Sequence, residues 1–427
     1  QPTPTKAITP TPTKQPFGVE TKTEKDGVST VTLVVDPDII ESKLAQELKA
    51  PPQDQQKRIE LTIKEDTADR TSIKLTGESI AKLTDNDFEL SVARNNVSYT
   101  IAAKEIAIEE LAKELELSEQ ELKNVQIEIQ INQVSDEVRA IYEETARNNY
   151  HELVFPPVEF SITASTTNSE GTEESITIQR FSNYVNRTLE IPEGVDPAKI
   201  TTGVVFNSDG TYNHVPTVVF ERDGKWYASL NSLTNSDYSV LSNPITVVSV
   251  ENHWSKEAVN DMASRLVISN PHTFAPKAFI TRGEFAQYIS KALCLRGTDT
   301  GKQFTDITAT DPLADDIDAA VEYGIIKGFL DGTFKPNITI TRQEAMAMYS
   351  RAMDVVGLDV KNPDRINSFS DRGEVSEWAY EEVKKVLGAG VFNGTSETTI
   401  SPMETFTYAE AATAIRNLLI ESGLINE

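Results

Sequence analysis

The sequence predicts a multidomain chain: an α+β and β-rich stalk region followed by a mainly α-helical unit built from three repeats. Three observations carry this. A Thr-x-x-Glu segment ahead of an apolar run returns after 60 and again after 66 residues, as Thr281-Arg282-Gly283-Glu284, Thr341-Arg342-Gln343-Glu344 and Thr407-Tyr408-Ala409-Glu410. Periods of this size mark stacked supersecondary units. The stretch 18–247 instead alternates β-branched and polar residues. The first 17 residues are dominated by Pro and Thr, a composition that builds no core and favours extended geometry.

Taken in chain order, residues 1–17 form a linker, and a linker at the start predicts a further module ahead of Gln1. Strands are expected at Val28–Val35, Arg58–Lys64, Asp87–Ala93, Val97–Ile101 and Val125–Asn132, with helices at Pro37–Leu48, Ala103–Leu117 and Ser135–Asn149. After Pro156-Pro157 the pattern changes to short strands and turns: Val158–Ala164, Ser175–Arg180, Gly203–Phe206, Val215–Arg222, Lys225–Leu230 and Tyr238–Leu241. A boundary near 157 would give an α+β spacer domain over 18–157 and a small β-rich one over 158–247. Asp209-Gly210 and Asp223-Gly224 read as hairpin turns, and Asn231 to Ser236 as a hydrogen-bonded loop.

The repeats occupy 248–427, divided at about 248–302, 303–364 and 365–427. In each, Thr281, Thr341 or Thr407 caps a helix, and Glu284, Glu344 or Glu410 reaches back to complete the box. Arg282 and Arg342 fall at the first helical position, where a cation is mildly unfavourable for the helix. Its recurrence there points to an anion receptor of guanidinium plus free backbone amides; the alternative is a well-capped helix with a solvated arginine. As surface side chains they are expected to contribute little to stability, so removing both should leave the melting temperature nearly unchanged. Upstream, the fullest copy reads Gly328-Phe329-Leu330-Asp331-Gly332-Thr333-Phe334-Lys335-Pro336.

These units resemble S-layer homology repeats, whose hallmark is a Gly-x-x-Asp-Gly-Thr-Phe-x-Pro loop followed by Thr-Arg-x-Glu. The resemblance covers about 250–425 and implies a pseudo-threefold bundle whose inter-repeat grooves bind an acidic, often pyruvylated, secondary cell-wall polysaccharide. Carried over by position, the ligand-facing residues are Arg282, Arg342, Trp254 and Trp378, with the Asp331-Gly332 turn. Trp254 and Trp378 could equally be core residues. The copies depart from the pattern: Tyr408 stands where an arginine belongs, Asn270-Pro271-His272-Thr273 replaces the Asp-Gly-Thr turn, and Pro312-Leu313 replaces a Trp. The Pro-Thr linker resembles those of cellulosome scaffold anchors, and 209–236 resembles a segment found ahead of such repeats in Gram-positive surface proteins.

A net charge of −26 argues against nucleic acid and anionic membrane as partners. It also repels an anionic polymer at long range, so binding must rest on local cations. Asp311, Asp315, Asp316 and Asp318 lack calcium-loop spacing and read as an acidic helix start. Cys294, the one cysteine, reads as a small core residue. The four histidines, His151, His214, His253 and His272, lack metal-ligand spacing, and no nucleophile elbow or phosphate loop occurs. No cofactor or metal is expected. The expected function is non-enzymatic, non-covalent anchoring of a surface protein, outside the cell in a Gram-positive-type wall, with the polysaccharide and an upstream cargo as partners. The alternatives are a lattice-forming S-layer subunit and, less favoured, a surface polysaccharide hydrolase.

Overall fold

The computed structural model describes residues 13–64, 68–115, 119–167, 171–297 and 304–427. Most of the Pro-Thr tract and the division between the first two repeats lie outside the described residues. The end of the tract is a strand: Thr13–Gln15 pairs antiparallel with Gly18–Lys25.

Residues up to 242 build two sheets. The larger has eleven strands, with Gly18–Lys25, Val28–Val35, Arg70–Thr76, Gln126–Gln133, Val158–Thr167, Asp237–Ser242 and Thr202–Phe206 along its main path. The smaller has six, in the order Thr217–Arg222, Lys225–Thr234, Arg180–Glu190, Val97–Ala102, Glu89–Arg94 and Arg58–Ile63. Asp223 and Gly224, both in the left-handed region, turn one hairpin tightly, as a two-residue loop requires. The Asp209-Gly210 turn lies within a longer loop between Thr202–Phe206 and Tyr212–Val215.

The change of sequence character at Pro156-Pro157 does not divide these sheets. Val158–Thr167 pairs with Gln126–Gln133 over eight residues, and Arg180–Glu190 pairs with Val97–Ala102. Apolar side chains from before and after 157, among them Leu33, Ile73, Ile129, Phe160, Leu230 and Val240, fill one core. Composition shifted at 157 because the later strands lack intervening helices, while the hydrogen bonding runs on. Asn231 to Thr234, expected as loop, continue the Lys225–Thr234 strand. Ser232 and Thr234 are buried, and the next residue, Asn235, accepts from the wholly buried Arg187, whose guanidinium also lies 4.4 Å from the Tyr238 ring centroid.

Among the described residues from Val250 onward the chain is helix and loop, with more residues in loops and short turns than in the six helices found there. The first helices of the three units are Lys256–Ser264, Ala314–Glu322 and Tyr380–Ala389; the second are Arg282–Ala292, Arg342–Val355 and Tyr408–Glu421. Each second helix packs on the first helix of the next unit, and the last returns to the first. The three pairs thus close a ring around Phe285, Tyr349, Phe392 and Phe406, whose rings pack mostly edge to face.

The ring is bonded to the sheets. Tyr184 donates to the Leu293 carbonyl at 2.7 Å, Arg180 pairs with Glu322 at 2.6 Å, and the Asn426 amide brackets Val219 on the edge strand at 2.7 and 3.0 Å. Cys294 is buried in the strand core and Leu233 in the ring core. Because central strands pair across residue 157, fragments 13–157 and 158–247 made separately should each lack dispersed amide signals in NMR spectra. A well-dispersed spectrum from either would contradict the shared-core account.

Candidate functional site: the grooves between repeats

All three helix starts carry the complete capping box. Glu284, Glu344 and Glu410 accept from the backbone N–H of Thr281, Thr341 and Thr407 at 2.9, 2.7 and 2.9 Å. The threonine hydroxyls accept in turn from the glutamate amides. This satisfies two of the donors that a helix start leaves unpaired.

The next two amides were expected to be bare, and they are not. Arg282 and Gly283 donate their N–H groups to the Ile338 and Pro336 carbonyls at 2.8 and 2.9 Å. Arg342 and Gln343 donate to Glu404 and Pro402, both at 2.9 Å, and Tyr408 and Ala409 to Ala278 and Pro276 at 3.1 and 3.2 Å. Every helix start is therefore docked onto the Pro-ended loop of a neighbouring unit, and the amide half of the anticipated anion receptor is already used. The reason is geometric: a proline fixes the loop backbone, and its carbonyl meets the helix dipole's positive end.

The arginines extend this docking. Arg282 Nε donates to the Phe334 carbonyl at 3.0 Å and Nη2 to the Lys327 carbonyl, with the guanidinium 5.1 Å from the Phe329 ring centroid. Its Nη1 makes no hydrogen bond among the described residues, and the group is half-buried. Arg342 is only 3% exposed. Its Nε donates to the Ile400 carbonyl at 2.8 Å, Nη2 to the Asn393 carbonyl at 3.4 Å, and Nη1 is paired with Glu410. Glu410 thus serves two helices: one oxygen closes its own capping box, the other neutralises the preceding unit's arginine. Tyr408, in the arginine's place, stands beside the Glu284 carboxylate and packs against Phe274 and Tyr288. Burial and that carboxylate push its hydroxyl pKa up.

Trp254 and Trp378 are surface residues, 65% and 56% exposed, so the core alternative fails for both. Trp254 and Arg342 meet in one groove of about 500 Å3, with Phe392, Asn393, Gly394, Thr395, Thr413 and Asn417 on its walls. Trp378 opens the third repeat's first helical stretch as Trp254 opens the first. Asp331 binds its own turn: Oδ1 accepts from the Thr333 amide and hydroxyl at 3.1 and 2.5 Å, and those bonds hold its carboxyl below the usual range. Gly332 sits at φ 79° in the same turn. Asp316 in the acidic helix start is not simply solvated, since burial raises its pKa and Gln287 bonds it at 3.1 Å.

Two loop-holding residues escaped the sequence reading. Asp306 accepts from the Phe334 and Lys335 amides, both at 2.7 Å, and Asp371 from Ile400 and Ser401 at 2.8 and 2.7 Å. They fix Lys335 and Ser401 in the left-handed conformation just ahead of the docking prolines. The recurrence of Phe304-Thr305-Asp306 as Phe369-Ser370-Asp371 was the available signal. Among the described residues, no cluster of His, Cys, Asp or Glu is placed to hold a metal, and no helix is long and apolar enough to cross a membrane.

Helix pairs locked cap-to-loop into a ring, with an open groove between units, make a closed, repeat-built module. Residues 250–286, 303–346 and 368–412 match the S-layer homology domain, and the chain carries three such domains at its C-terminal end. Over 140 residues it is 30% identical to a cellulosome-anchoring protein of Acetivibrio thermocellus, covering 31% of this chain and 30% of that protein. It is 30% identical over 143 residues to a surface-layer 125 kDa protein of Lysinibacillus sphaericus, covering 33% of this chain and 12% of the other. An amylopullulanase of Thermoanaerobacterium thermosulfurigenes is 29% identical over 244 residues, 56% of this chain and 13% of that enzyme. That match is longer than the segment 250–427, so the likeness extends into the strand region. The chain spans less than a third of the length of each of these relatives. Its three S-layer homology domains and its likeness to anchoring and surface-layer proteins put it outside the cell at the cell wall and support cell-surface anchoring in general.

Because Arg342 is buried against Glu410, Arg342→Ala should cost roughly 3 kcal/mol, read as a lowered urea midpoint. Arg282→Ala should cost about 1 kcal/mol. This reverses the expectation that both are dispensable for stability. Equal, negligible losses would contradict the docking role.

Proposed function

We propose that the three-repeat unit, a pseudo-threefold bundle, holds the chain on the wall non-covalently by binding an acidic, pyruvylated secondary wall polysaccharide in its inter-repeat grooves. The observation that carries this reading is the groove in which the exposed Trp254 ring faces the Arg342 loop, Thr395 and Asn417. An exposed tryptophan beside hydroxyl and amide groups offers a flat apolar face and hydrogen bonds together, the combination a sugar ring requires.

The arginines divide the work. Arg342, spent on Glu410 and two carbonyls, shapes the loop 391–395. Arg282 keeps Nη1 for a ligand and is the better cation for a carboxylate. The seam at Tyr408 offers no guanidinium, so two grooves are competent and the third is weak. In a chain of net charge −26, local cations must act at short range, where screening is least effective.

The strand region over 18–247, one unit by its pairing and core, acts in this reading as a spacer that sets a cargo module away from the wall. The chain is an anchor and not a catalyst; the matched part of the amylopullulanase is a small share of that enzyme, as expected for an attachment segment.

Cosedimentation with native walls, beside walls stripped of accessory polymer with peptidoglycan intact, tests the proposal. The protein should pellet only with native walls. Arg282→Ala combined with Trp254→Ala should lower the pelleted fraction at least tenfold, with circular dichroism unchanged. Pelleting with stripped walls, or wild-type pelleting of the double variant, would refute it.

A further inference from the structure

A cleft of about 870 Å3 lies where the strand region meets the first repeat. It shares no residue with the Trp254 groove. Its walls bring together residues far apart in sequence: Tyr150 and His151 after one helix, Tyr212 and Asn213 on an edge strand, and His272 and Lys291 from the repeat. No Asp or Glu lines it, although the chain has 66 acidic residues against 40 basic ones. Three of the four histidines lie in its walls.

Tyr150 is the telling residue. The Asp136–Asn148 helix ends in a Schellman arrangement, with the His151 N–H bonded to the Ala146 carbonyl at 2.9 Å and the Tyr150 N–H to the Arg147 carbonyl at 3.0 Å. The left-handed position in that motif belongs to glycine, yet it holds Tyr150 at φ 59°, and the side chain is 96% exposed. A tyrosine there forfeits glycine's conformational ease and buries nothing in return. Strain of this kind, kept beside a cleft, points to a use for the side chain.

The other walls are set for recognition. The His151 Nδ1 lies 2.7 Å from the Tyr212 hydroxyl, and burial holds that imidazole's pKa down. Lys291 donates to Ser269 at 2.6 Å, leaving its other ammonium protons for a ligand. His214, the most deeply buried of these wall residues, has its Nδ1 2.6 Å from the Thr202 hydroxyl and serves as packing.

We propose that this cleft is a second saccharide site, shaped jointly by the strand region and the first repeat, for a short carboxylate-bearing sugar segment. Tyr150 provides the stacking face, Lys291 the cation, and Asn213 and His272 flanking hydrogen bonds. The proposal does not depend on the grooves. It gives the strand region a binding role and makes the fixed seating of that region on the repeats a functional requirement.

Isothermal titration of the full chain with trigalacturonate, and with neutral cellotriose of equal length, tests this. Trigalacturonate should bind at least tenfold more tightly than cellotriose, and Lys291→Met should remove most of that difference. Tyr150→Gly should raise the melting temperature by relieving the left-handed strain while weakening trigalacturonate at least tenfold. Both variants should still pellet with native walls, which separates this site from the grooves. No trigalacturonate binding, stronger binding of cellotriose, or unchanged affinity in both variants would overturn it.

Discussion

The structure of the attachment module depends on one repeated interaction: a capped helix start pressed onto the proline-ended loop of the neighbouring unit. At each seam two amides that would otherwise be orphaned donate across it, as Arg282 and Gly283 do to Ile338 and Pro336. The third amide and the cap belong to the Thr-x-x-Glu box. Nothing at the helix start is left for solvent, so the ring closes on backbone bonds rather than on apolar packing alone. The grooves are what remains open once these seams are made.

Glu410 shows how tightly fold and site are joined. A single carboxylate completes a cap and neutralises Arg342. Breaking such a buried pair from one side leaves an uncompensated charge. Where Arg becomes Tyr408, the backbone docking survives, with Tyr408 and Ala409 donating to Ala278 and Pro276, keeping the seam while giving up the charge. The seam is thus kept without a positive charge at that position.

Much of this was legible in the sequence. The capping boxes at Thr281, Thr341 and Thr407 stand as read, because a cap is a local device written in four residues. Val28–Val35 and the Ser135-capped helix were equally plain. What failed was non-local. The strands at Arg70–Thr76 and Arg180–Glu190 were not picked out; the second carries Arg187 and Asn186 inward or to a partner strand, which spoils the alternation. The boundary at Pro156-Pro157 followed composition, whereas strand pairing follows topology. The bare amides were inferred from a helix considered alone, and only the neighbouring loop shows where they donate. Three of the four histidines, His151, His214 and His272, line one cleft because the chain returns to it from three separate segments.

The account's central claim is that an acidic wall glycan lodges at the seams. A crystal structure of the chain with a purified fragment of the wall polysaccharide measures this most directly. The account predicts sugar density stacked on Trp254 and bonded to Thr395 and Asn417, with an acidic group near Arg282 in the equivalent groove. Density bound elsewhere, with both of these grooves empty, would contradict it.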